Sequence, residues 1–146
     1  MDYLYGVRYA WDVISQIYLL LRIMLKLTLH WRIPSKKNQK QRTGRFLVSS
    51  KQYQKREKEQ LIALSEQVEE LKINSELYME YHFYMPDNRK CDLSNKVESI
   101  NDLFVKYGLI EDDNRNILRY LMIRCEWVDK EDPRCEIKIH FIWVND

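Results

Sequence analysis

Two adjoining stretches decide the fold: LYMEYHFYM, residues 77–85, and SNKVESINDLFVKYG, residues 94–108. The first alternates apolar and polar positions with the two-residue period of a strand. It stops at Pro86, which has no N–H to give a sheet ladder. PDNRKCDL then connects to the second stretch, which follows the helical period over 94–107. At 100° per residue, Val97, Ile100, Phe104 and Tyr107 gather on one side, with Leu103 at its edge. Asn95, Glu98 and Asp102 fall within about 60° of one another on the opposite side. Gly108 stands where a helix of this kind stops. The spacing therefore predicts a helix that packs its apolar side on a sheet and turns an amide and two carboxylates outward.

Working outward, LKLTLHWRI (25–33) alternates strictly and predicts a half-buried strand. PSKKNQKQRTGR (34–45) has the Pro, Gly and polar content of a loop, and FLVSS a short strand. From Lys51 to Lys72 the apolar positions Leu61, Leu64, Val68 and Leu71 recur at helical spacing, with Ser50 as N-cap. EDDNRN predicts a turn, and residues 117–128 and 134–144 predict two strands joined as a hairpin through DKEDP. Grouped strands with two main helices predict an α+β fold built on a small mixed β-sheet.

The 146 residues fit one compact domain, taken as 24–146, with 1–23 as an N-terminal helical extension. Within that extension IYLLLRIML (17–25) is apolar but interrupted by Arg22. It is too short and too charged to span a bilayer, which needs about 20 mostly apolar residues. It also lacks the basic start and small-residue cleavage site of a signal peptide. A membrane partner is not expected. Three widely spaced cysteines (91, 125, 135) without a CxxC argue against a disulfide framework and for a reducing cytoplasm. The three histidines (30, 82, 140) lie in strand-like segments with no metal-ligand spacing, and are taken as ordinary strand residues.

Net charge is only +2, yet its distribution is uneven. Between residues 36 and 58 nine Lys or Arg accompany one acid, Glu57. Lys36, Lys37, Lys40, Arg42 and Arg45 are candidates to contact DNA phosphates. A solvated loop running into a charged helix is the plainer reading of the same residues.

Against that basic segment, residues 91–114 concentrate Asp92, Glu98, Asp102, Glu111, Asp112 and Asp113. Asp92 stands just before the helix, where it can cap it or share a cleft with Asn95. Asp112 and Asp113 follow the Gly-terminated helix, at the start of the next strand. Clustered acids repel unless a cation compensates them. Hard oxygen ligands suit Mg²⁺ or Mn²⁺, which would suit phosphodiester hydrolysis. A merely solvated helix face is the plainer alternative here also.

The order of these residues resembles the RusA-type Holliday-junction resolvases. Members carry Asp-x-Asp-Asn, a Lys three residues on, then Asp-Ala-Leu, and an Asp-Asp pair after a Gly. Here Asp92, Leu93, Ser94 and Asn95 fall on the first block, Asp102 and Leu103 on the second, and Asp112 and Asp113 on the pair. IPSKKNQKQ resembles the family's Pro-Ser-x-x-Asn loop, and SSKQYQK its entry to the long helix. The resemblance spans roughly residues 25–144. Two positions depart from it: Ser94 replaces the second Asp, and Glu98 occupies the lysine position. A phage branch of the family is similar through Asp92–Ser99, which implies a variant site in which Glu98 restores the missing carboxylate. Lys106, one helical turn beyond Asp102, and Arg89 and Lys90 in the preceding loop are candidates for the missing cation.

The resemblance implies a homodimeric Mg²⁺-dependent endonuclease acting on four-way DNA in recombination and repair. It implies Asp92, Glu98 and Asp113 as metal ligands, with Asp112 either assisting catalysis or only repelling its neighbours, and Asn95, Asp102 and Lys106 in support. Other expectations are a nuclease of the same fold acting on other branched DNA, and a branched-DNA-binding protein altered at its catalytic site.

Overall fold

The computed structural model describes residues 24–30, 33, 40–43 and 46–142. The proposed helical extension over 1–23 lies outside them. In chain order the elements are β1 (Met24–His30), β2 (Lys40–Thr43), β3 (Phe46–Ser49), α1 (Lys51–Val68), β4 (Glu76–Met85), α2 (Leu93–Tyr107), β5 (Leu118–Val128) and β6 (Arg134–Ile142). The α+β expectation holds: β1-β6-β4-β5 form one mixed sheet, and β2 and β3 pair separately.

β4 lies antiparallel to β6, with Tyr81 opposite Ile137, and parallel to β5. A parallel neighbour needs a crossover, and α2 supplies it. This corrects the expected hairpin of the last two strands, because β4 sits between β5 and β6. The five-residue link is short enough to suggest a hairpin but long enough to step over one strand. β2 is a second correction, since residues 40–43 pair with β3 inside a stretch expected to be loop.

Alternation gives the sheet two unlike faces. Leu27, Leu29, Met79, Tyr81, Phe83, Cys135, Ile137 and Ile139 are buried on one. Leu64 and Val68 of α1 and Val97, Ile100, Leu103 and Phe104 of α2 complete that core. Enclosure in apolar surroundings drives the Cys135 thiol pKa well above its usual value.

The other face is polar. Glu80 accepts from His82 Nε2 at 2.9 Å and contacts His140 Nε2 at 3.2 Å, while His82 Nδ1 meets Glu126 at 2.7 Å. Burial pushes the Glu80 carboxyl up, but the His82 hydrogen bond and the charges of Lys138 and His140 outweigh it and leave it lowered. His82 and His140 thus belong to an ion network, beyond the plain strand role expected of them.

Ser50 caps α1, its hydroxyl accepting from the Tyr53 N–H at 3.2 Å. The helix stops at Val68, short of the expected Lys72, and Leu71 beyond it is exposed. Two residues of α1, about two turns apart, also meet the sheet edge. Gln67 accepts from the Thr28 N–H at 2.7 Å and donates to its carbonyl at 2.8 Å. Gln60 donates to the His30 carbonyl at 2.8 Å.

Candidate metal centre

α2 forms where the spacing predicts it, and its two ends are chemically distinct. At the start, Asp92 is the N-cap, accepting from the Asn95 N–H at 3.3 Å. Its other oxygen accepts from the Asn95 side-chain amide at 2.7 Å. The expected cap therefore holds, and the Asp92 carboxylate is also hydrogen-bonded to the Asn95 side chain. The Ser94 hydroxyl donates to the same carboxylate at 2.5 Å. Ser94 thus holds Asp92 in place and supplies no carboxylate of its own.

At the far end, Gly108 takes the left-handed conformation, φ 89°, and its N–H returns to the carbonyls of Phe104 and Val105. That reversal carries the chain back past Asp102. Burial and the charges of Asp102 and Asp112 hold the Asp113 carboxyl above its usual range. Asp112 moves the other way, lowered by hydrogen bonds from the Asn114 amide, at 2.6 Å, and the Asp113 N–H, at 2.8 Å.

Asn95 and Asp102 are half-buried and Glu98 is exposed on the outward stripe, as expected. Ten residues separate Asp92 from Asp102, which is about 15 Å along a helix. Among the described residues no three His, Cys, Asp or Glu side chains converge closely enough to hold one metal ion. Asp92, Glu98 and Asp113 are thus not gathered at a single point within one chain.

The cations sort themselves. Lys106 pairs with Glu57 of α1 at 2.8 Å, so it links the helices. Lys96 is buried, donating from Nζ to the Ile33 carbonyl at 3.3 Å, and burial lowers its pKa. That bond ties Ile33 to the first turn of α2. Arg89 is exposed, 3.6 Å from Asp87. An open groove of about 420 Å³ is lined by Arg89, Lys90, Cys91, Leu93 and Trp127. Of the five residues expected on DNA, Lys36, Lys37 and Arg45 lie outside the described residues. Lys40 and Arg42 stand on β2.

Sequence reasoning missed Asn101. Its carbonyl oxygen accepts from the Tyr81 hydroxyl in the core, and both residues are buried. The signal was available: an amide inside the apolar side of α2 and a tyrosine inside β4 each need a partner.

The chain is thus a small α+β domain whose crossover helix carries carboxylates at both ends, above a polar-backed sheet. Residues 31–140 match the family model described as Endodeoxyribonuclease RusA. The chain belongs to that family of endodeoxyribonucleases. No curated protein matches it.

Proposed function

We propose that the protein is a metal-dependent, structure-selective endodeoxyribonuclease that resolves four-way DNA junctions by phosphodiester hydrolysis, acting as a homodimer. The observation that carries this reading is the family match over residues 31–140, which includes every acidic position of the candidate site.

The residues fit a hard divalent cation. Burial, then the charges of Asp102 and Asp112, hold the Asp113 carboxyl above its usual range, a cost to the ionised form that a bound cation would offset. Asp92, Glu98 and Asp113 would supply carboxylate ligands to Mg²⁺ or Mn²⁺ only when two copies bring them together, since one chain does not gather them at a point. When bound, such an ion polarises a phosphate and lowers the pKa of a coordinated water. Ser94 and Asn95 orient Asp92 and fill part of its acceptor capacity. Because one chain spreads Asp92 and Asp113 toward opposite ends of α2, a two-fold partner would supply the second set. The basic segment from residue 36 to residue 58 would track phosphates, without reading sequence.

The test is incubation of the purified chain with Mg²⁺ or Mn²⁺ and a synthetic four-way junction, beside linear duplex and a flap. Metal-dependent nicking of the junction is expected. Preferential cutting of the flap would favour action on other branched DNA, and binding without cutting would favour a catalytically altered site.

A further inference from the structure

The pairing of β4 with β5 loses its even count near the end of both strands. Phe83 pairs with Cys125 and Met85 with Val128, so β5 takes three steps where β4 takes two. The extra residue makes a β-bulge, a device that re-aims side chains and is common beside functional sites. Trp127 stands in that bulge and is 65% exposed. Its ring is nonetheless braced, meeting the buried Tyr84 ring edge-on with centroids 5.0 Å apart at 81°. The Arg134 guanidinium lies 3.9 Å over the Tyr84 ring and is itself held by Asp129 at 2.9 Å and Glu136 at 2.8 Å. An exposed indole on a buried support offers a fixed aromatic surface. It lines the open groove of about 420 Å³. Cys91 and Leu93, the residues on either side of Asp92 in the chain, line the same groove.

We propose that Trp127 is a stacking platform for one unpaired base of branched DNA, with Lys90 on the adjoining phosphate. The charges of the groove favour that occupant. Two acids line it, and both are compensated. Asp87 accepts from the Arg89 N–H at 2.9 Å and lies 3.6 Å from the Arg89 side chain. Glu126 is met by His82 Nδ1 at 2.7 Å and by Arg124 at 3.2 Å. Lys90 is exposed and has no ion pair among the described residues, so it is the cation left over. A cation beside an aromatic face suits single-stranded nucleic acid, whose bases stack and whose phosphates pair whatever the sequence. The groove falls within the range of clefts that take one small ligand, about 300–1,000 Å³, and so suits one nucleotide and not a duplex. In a duplex every base is paired and stacked, and freeing one costs least where pairing is already interrupted. Trp127 thus selects DNA that presents a freed base at a branch. The proposal rests on the nuclease reading and deepens it, naming the part of the substrate selected and the residue that selects it.

The experiment compares the unmodified chain with Trp127→Ala, Trp127→Phe and Lys90→Ala, in EDTA so that binding is read without cutting. A four-way junction and a blunt duplex are titrated by anisotropy, and indole emission is recorded in the same samples. Trp127→Ala should weaken junction binding about ten- to a hundredfold, the range for one lost base stack, and leave duplex binding unchanged. Trp127→Phe keeps a ring and should restore most of the affinity. The junction should quench indole emission of the unmodified chain, and Trp127→Phe should lose most of that quench although it binds. Lys90→Ala should lower the salt slope by about one, and Trp127→Ala should not change it. All three variants should sediment and melt as the unmodified chain does, because both positions are exposed. Equal losses on junction and duplex, no rescue by Trp127→Phe, no quench in the unmodified chain, or a quench that persists in Trp127→Phe would each overturn the proposal. Junction binding untouched by Trp127→Ala would also overturn it and leave the groove to a protein segment. A chain that stacks the junction in this way yet never cuts it once Mg²⁺ is added would overturn the nuclease reading alone.

Discussion

Asp113 stands within electrostatic reach of Asp102, and burial together with that charge holds its carboxyl above the usual range. An acid with a raised folded pKa binds its proton more readily folded than unfolded. Stability is therefore fully present below the ordinary value of 3.8, declines as pH rises through Asp113's raised value, and stays reduced at neutral pH. Asp113→Asn should raise the metal-free melting temperature at pH 7 and leave it nearly unchanged near pH 3. The gain should be about a few tenths of a kcal/mol, since the group is largely exposed and screened. Thermal denaturation at the two pH values measures it.

Ser94 separates orientation from ligation. Its hydroxyl donates to Asp92, so Ser94→Ala should lower junction cutting several-fold while retaining the metal requirement. Asp92→Ala should abolish cutting and also cost about 1 kcal/mol of stability through removal of the N-cap. Kinetics and urea denaturation on the two variants distinguish the roles.

Tyr81→Phe should cost about 1–3 kcal/mol, because it leaves the buried Asn101 oxygen without its hydroxyl donor. Replacing both residues, Tyr81→Phe with Asn101→Leu, should cost less than the two single substitutions added together. Urea denaturation of the single and double variants measures the coupling.

Lys106→Ala removes an exposed pair with Glu57 and should change stability by less than about 1 kcal/mol. Cutting should continue. Neutralising Lys36 and Lys37 should instead weaken junction binding and flatten its dependence on salt, the slope falling by about one for each phosphate that is no longer neutralised. Titrations over a range of salt concentrations compare the variants.

Much of this architecture was legible in the residues. Tyr81 and Phe83 alternate with Glu80 and His82, so β4 declares its two faces. Gly108 and Asp92 mark the ends of α2 within a residue. The strand order was not legible, because a five-residue link between β5 and β6 has the same composition whether it turns a hairpin or steps over β4. Nor was the shortened α1, since Leu71 continues the helical period beyond Val68 while its side chain stays exposed. At the site, the outward stripe of Asn95, Glu98 and Asp102 followed from geometry alone. The part played by Ser94 did not, because a serine two residues after an aspartate has many uses, and only the folded N-terminus of α2 turns its hydroxyl onto Asp92.

The central claim is that the carboxylates at the two ends of α2 serve one metal-dependent cleavage of junction DNA. Its most direct test is nicking of a labelled four-way junction in Mn²⁺ by the unmodified chain, Asp92→Asn and Asp113→Asn, with junction binding followed in the same samples. The account predicts cutting by the first, none by either variant, and binding by all three. Metal-dependent cutting that survives both substitutions would contradict it.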